Sequence, residues 1–152
     1  AALANAQDAL TSSREIEGRP DLVVESLVLL AEIELKQGEL SEAAHAARSA
    51  VELSADLGWP DSLQAMRVLG AIEIAMGVSS GVGRLEHVVK VGSAEGLRLD
   101  AARAHVALGS LDADPQSPHF HRAREIFAEC GSERGLAELR EAIAKVRTPA
   151  PA

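Results

Sequence analysis

The sequence predicts an all-α protein of antiparallel helix pairs stacked one on the next, about eight helices and no sheet, on three observations. First, Gly-x-Pro-Asp is written twice, in EGRPD (17–21) and LGWPD (57–61), with the glycines 40 residues apart. A glycine after an apolar helical stretch can adopt the left-handed conformation that ends a helix. The proline cannot continue that helix, and the aspartate can cap the next. Second, the chain is 47% hydrophobic but only 2% aromatic, with Ala, Leu and Val dominant and no Tyr. Such a composition suits helices packed through small side chains better than a sandwich or barrel. Third, three helical stretches come into register on Gly38, Gly77 and Gly109: SLVLLAEIELKQG (26–38), AMRVLGAIEIAMG (65–77) and LRLDAARAHVALG (97–109).

In that register Leu30, Leu69 and Ala101 coincide, followed by the small residues Ala31, Gly70 and Ala102, and later by Leu35, Ile74 and Val106. The small residue lets a neighbouring helix come close, and the closing glycine is expected to stop the helix. A second helix follows each stop. Ala43, Ala47, Ala50 and Leu53 form one apolar stripe, repeated by Ala123, Phe127 and Cys130 and, at the start of the chain, by Ala2, Ala6 and Ala9. Leu85 with Val88 or Val89 supplies the poorest copy, where Gly81 and Gly83 each weaken the helix by about 1 kcal/mol against Ala. Leu136, Leu139, Ile143 and Val146 share a face of the final helix. The expected helices are 2–16, 22–37, 40–57, 61–76, 80–91, 94–108, 118–130 and 133–146, with Asp61 and Gln64 as a capping box and SLDADPQSP (110–118) as the one long connection.

Paired helices with a small residue midway in the first, glycine at the turn and Ala-x3-Ala-x2-Ala in the second resemble tetratricopeptide (TPR) repeats. The spacings here are 39 and then 32 residues, against about 34 in that family; the longer form is similar to extended repeats of large bacterial signalling and regulatory proteins. RAREIFAECGSERGLAELREAI (122–143) resembles the closing repeat and cap of helical domains in bacterial regulators and kinases. Glu34, Glu73 and His105 depart from the pattern, standing where the family usually has an aromatic. The resemblance implies a right-handed solenoid forming a single domain over 1–147: a half repeat at 1–18, repeats at about 21–58, 61–92 and 94–131, and a capping helix at 132–147. Residues 148–152 are expected to be a disordered tail.

Charge and composition narrow the function. A net charge of −8 argues against nucleic acid as the main partner. The single Cys130 precludes an internal disulfide framework and fits a reducing compartment. No apolar stretch is long enough to span a membrane and no secretory leader is visible, so a cytoplasmic location is expected. The sequence begins without Met, as an excised piece of a longer protein would.

No active site emerges, and neither a cofactor nor a metal is expected. GVSSGVGRLEH (77–87) lacks a Gly-Lys-Ser/Thr ending and has Glu86 where a dinucleotide loop needs a third glycine, so it reads as an inter-helix turn. HFH (119–121), with Asp112 and Asp114 before it, is the nearest imitation of a metal site, but two histidines fall short of the four ligands of structural zinc. The favoured reading is a polar loop running into a helix whose Phe120 docks on the core. His45, His87 and His105 stand singly on helices, and Cys130 falls on an apolar stripe as a buried thiol. The many carboxylates are ordinary features of helix surfaces and ends, and no Ser, His and acid grouping has a recognisable nucleophile turn.

What remains is a surface. Stacked pairs leave a concave groove lined by first helices, and the register nominates Glu25, Val28, Glu32 and Lys36, then Gln64, Arg67, Ala71 and Ile74, then Leu99, Arg103 and Val106. The competing reading is that several of them, about half, only fill inter-helix packing. Arg67 and Arg103 are expected to stand as exposed groove charges, without the Asn partners of a carboxylate clamp. The leading expectation is therefore a non-enzymatic module that binds a peptide or helix of a partner protein. The alternatives are a structural spacer or self-association segment, and a small-molecule or metal-responsive sensor using the 110–121 loop. Ala2, Ala6, Ala9 and Leu10 present a helix face without its preceding partner, expected either to form a weak homodimer contact or to continue an upstream repeat.

Overall fold

Glycine sets three of the helix ends. Gly38, Gly77 and Gly131 all have φ between 64° and 80°, and each closes a helix with two crossed backbone bonds. At the first, Glu39 N–H donates to the Glu34 carbonyl at 2.9 Å and Gly38 N–H to that of Leu35 at 3.1 Å; Val78 with Glu73, and Ser132 with Phe127, repeat the outer bond. These are Schellman closures, in which the left-handed residue turns the last carbonyls onto the following N–H groups. In the computed structural model, which describes residues 1–148, the elements are α1 (Ala2–Arg14), α2 (Pro20–Gln37), α3 (Leu40–Ser54), α4 (Trp59–Ala75), α5 (Ser80–Ala94), α6 (Arg98–Asp112), α7 (Pro118–Glu129) and α8 (Glu133–Arg147). The described residues are all-α, without a strand. Apart from Thr148, the expected tail lies outside them.

Several helix boundaries differ from expectation for local reasons. Gly18 is left-handed with φ 73°, but Gly58 sits at φ −66°, ψ 166° and is itself the N-cap of α4. Pro20 and Pro60 lie inside the first turns of α2 and α4, where a missing N–H costs nothing and a fixed φ favours the helix. Asp21 and Asp61 therefore follow the helix start instead of capping it, and no capping box forms at Asp61. Asp21 is instead bonded by Arg19, Nη2 to Oδ2 at 2.8 Å.

Gly109 departs further: α6 runs through it to Asp112 and closes on Ala113, a non-glycine with φ 54°. The connection thus shrinks to 113–117, where the Asp114 carboxylate accepts from Gln116 N–H at 2.8 Å. Ser117, which is buried, caps α7 by accepting from His119 N–H and donates to Asp112 Oδ2 at 2.6 Å.

The residue contacts divide the chain into two compact units, Ala1–Gly81 and Val82–Ala152. In the first, α2 packs on α1, α3 and α4, and α3 also packs on α4. Its core runs from Ala6 and Leu10 through Val24, Leu27, Val28, Leu30 and Ala31 to the α3 alanines 43, 44, 46, 47 and 50, then to Ala65, Val68, Leu69 and Ile72. Ala6 and Leu10 pack into this core while Ala2 and Ala9 are exposed. Leu53, expected on the α3 stripe, is 46% exposed, and the fully buried Ser54 continues the stripe in its place. In the second unit α6, α7 and α8 each contact the other two. Their core is Ala102, Phe120, Ala123, Ile126, Phe127, Leu139 and Ile143. Cys130 caps the C-terminus of α7 and is exposed, correcting the buried-thiol expectation.

Gly109 has a packing role instead of a terminating one. A Cβ built on it would lie 2.7 Å from Cδ1 of the fully buried Phe120. Gly109→Ala should therefore destabilise the protein by about 1–3 kcal/mol through overpacking, outweighing a helix-propensity gain of about 1 kcal/mol. Thermal unfolding checks this, and adding Phe120→Leu to Gly109→Ala should recover part of the loss, since the two sites are in contact.

Candidate functional site

The period of α2 puts Glu25, Leu29, Glu32 and Lys36 on one side and Leu27, Leu30 and Glu34 on the other. The first side carries the candidate groove residues of this helix. Glu25 and Lys36 are exposed, as is Leu29 at 46%, whereas Val28 is only 2% exposed and belongs to the core. Glu32 reaches α4, where its Oε1 accepts from Arg67 Nη2 at 3.0 Å. Gln64, Ala71 and Ile74 are half-buried.

In the second unit Leu99 is exposed, while Arg103 and Val106 are half-buried, Val106 against the core. Arg103 Nε donates to Glu138 Oε2 at 3.0 Å, and Arg134 takes the other oxygen of the same carboxylate. Burial alone would raise Glu138, but the hydrogen bond and charge of Arg103, joined by Arg134, hold its carboxyl below the ordinary value. Arg67, at 9% exposed, and Arg103 are therefore structural ion-pair partners, which corrects the reading of both as open groove charges. Reversing them would remove inter-helix contacts, so a binding test at these positions would also measure folding.

The three departures from the repeat pattern form a set. Glu34 is 7% and Glu73 5% exposed, and His105 is half-buried. Glu34 Oε2 is enclosed and makes no hydrogen bond to any described residue. An orphan of that kind costs about 1–3 kcal/mol. Burial raises the Glu34 carboxyl above its ordinary value; Glu42 and Glu39 add to this, and His45 offsets part of it. A groove of about 400 Å³ opens over Glu34, between α1 and α3, with Leu10, Leu27, Leu30 and Ala46 as its apolar lining and Arg14, Glu42 and His45 also around it. None of the residues nominated for the concave groove lines it, although Leu10 of the α1 face does. The only signal for it in the sequence was an acid at a position whose register demands an apolar side chain.

His105 pairs with His119, Nδ1 to Nδ1 at 2.9 Å, with ring centroids 5.2 Å apart. Burial, followed by the charges of His119 and Arg122, lowers His105 to about 4. His121 is exposed, while Asp112 and Asp114 serve the turn already described. Among the described residues no group of three or more His, Cys, Asp or Glu converges on a point that could hold a metal, and no helix is long and apolar enough to cross a membrane. No protein family, curated protein or solved structure matches the chain.

Two opposite pH responses follow. His105 binds its proton less readily folded than unfolded, so its contribution to stability is lost as pH falls from about 6.5 towards about 4. An NMR titration of the His105 ring should show a midpoint near the lower value, and His105→Gln should flatten the acid limb of the stability curve. Glu34 holds its proton more readily folded than unfolded, so its ionisation costs stability as pH rises from the ordinary carboxyl range through its raised value. Glu34→Gln should then gain stability relative to wild type as pH increases over that range, read by denaturant unfolding at a series of pH values.

Proposed function

We propose that this chain is a non-enzymatic, TPR-like helical-repeat module that binds a peptide or helix of a partner protein. A place in a larger bacterial signalling or regulatory protein is the setting its sequence resemblance suggests. The observation that carries the reading is the contact order inside each unit: α2 meets both α3 and α4, and α6 meets both α7 and α8. A helix that touches its next neighbour and its next but one is what stacked helix pairs require, and a right-handed TPR-like solenoid accounts for it. The shared register supports the same reading. Leu35, Ile74 and Val106 are all half-buried, while Ala31, Gly70 and Ala102 are all buried. Stacked pairs present the groove-lining sides of their first helices to partners. In the first unit that side is the exposed Glu25, Leu29 and Lys36 of α2.

A photo-crosslinking amino acid at Leu29 tests this in lysate of the source cell. A discrete heterologous adduct, lost on competition with wild type but not with Leu29→Glu, is the expected outcome. Because Leu29 is exposed, Leu29→Glu should change stability by no more than about 0.5 kcal/mol. Adducts only with the chain itself would instead favour self-association, and their complete absence would favour a spacer.

A further inference from the structure

The groove between α1 and α3 is built unlike an ordinary seam between helices. Its apolar wall is Leu10, Leu27, Leu30 and Ala46, and Ser41 and Ser49 add hydroxyls. Set into that wall is Glu34, more than nine-tenths buried, with one carboxylate oxygen that no described residue satisfies. Buried polar groups are ordinarily hydrogen-bonded, and a carboxylate set in an apolar wall is an acceptor in want of a donor. We propose that this groove receives a basic side chain, lysine or arginine, carried beside apolar residues on a partner peptide, with Glu34 accepting its N–H.

Charge complementarity selects that occupant. Glu42 from α3 and Glu39 from the α2–α3 turn both act on Glu34 as like charges, so a cation entering here relieves their repulsion. Two nitrogen-bearing side chains, one of them an arginine, face the same space. His45 on α3 offsets the acids only in part, and Arg14 stands at the end of α1; neither bonds Glu34 Oε2. Arg14 gives the groove a polarity, since an incoming cation is repelled at the α1 end and drawn towards Glu34 and Glu42. The volume of about 400 Å³ accommodates a few side chains and not a folded domain, so the apolar lining grips the residues flanking the basic one.

The site deepens the interaction-module reading but occupies the side of α2 opposite Leu29, so the two are separable by mutation. Burial and Glu42 hold the Glu34 proton above the ordinary carboxyl range. A bound cation favours the ionised form, so affinity should rise with pH above the ordinary carboxyl range, through the raised value at which Glu34 gives up its proton.

Short random peptides displayed on phage, selected on the full chain with Glu34→Gln in parallel, test this. Enriched peptides should share a Lys or Arg flanked by apolar residues, and should lose about tenfold or more in affinity on Glu34→Gln or on replacing that Lys by norleucine. Glu42→Gln, at an exposed position, should give a smaller loss without touching the core. Circular dichroism of both variants should match wild type. Enrichment of acidic or uncharged peptides, or affinity independent of Glu34, overturns the proposal. So does failure to enrich any peptide. Peptides insensitive to Glu34→Gln but lost on Leu29→Glu would place binding on the other face and leave the interaction-module reading intact.

Discussion

Close approach between helices is the constraint on which the rest of the structure depends. Aromatics are scarce, so the core can exclude water only if backbones come together, and that requires small or absent side chains at the crossings. Ala43, Ala47 and Ala50 supply this along α3. Gly81 goes further: a Cβ there would lie 2.8 Å from the Gly70 carbonyl oxygen of α4. In the second unit the two phenylalanines occupy the room that a glycine leaves, Phe120 against Gly109 and Phe127 against Gly135. Interiors at crystal-like density tolerate little change in volume, so these glycines are part of the packing as much as the phenylalanines are.

Small-residue packing has a consequence for polar groups. The register position of Glu34, Glu73 and His105 lies one residue before the half-buried Leu35, Ile74 and Val106, on a part of the first helix that a large side chain would otherwise cover. Polar groups there are drawn out of water by their neighbours. Their chemistry then follows from which partner each finds. His105 finds a second imidazole and stays neutral over a wide pH range. Glu34 keeps an oxygen without a donor and opens onto a groove.

Helix α2 thereby carries two surfaces of different character. One is exposed, with Glu25, Leu29 and Lys36 on one side of the helix; the other is concave and acidic. Arg67 and Arg103, the charges that looked best placed for recognition, are consumed in holding helices together through Glu32 and Glu138. A charge at a helix crossing is more useful to the fold than to a partner, because desolvation there makes an unpaired ion costly.

Local sequence determined the helices themselves. Period and composition placed all eight, and the left-handed glycines at 38 and 77 fixed two of the stops, because these signals act within one turn of chain. Where a proline sits at a helix start, the local reading misplaced the boundary by two residues, since Pro20 and Pro60 are compatible with a loop or with a first turn. Tertiary structure decided what depends on a distant neighbour. Gly109 reads as a stop until Phe120 is laid against it, and Cys130 reads as core until α7 is seen to end at it. Arg67 becomes structural only when Glu32, 35 residues away, reaches it. The groove over Glu34 needs α1 and α3 on either side of α2. Sequence period reports which way a residue points along its own helix, and only packing reports what it meets there.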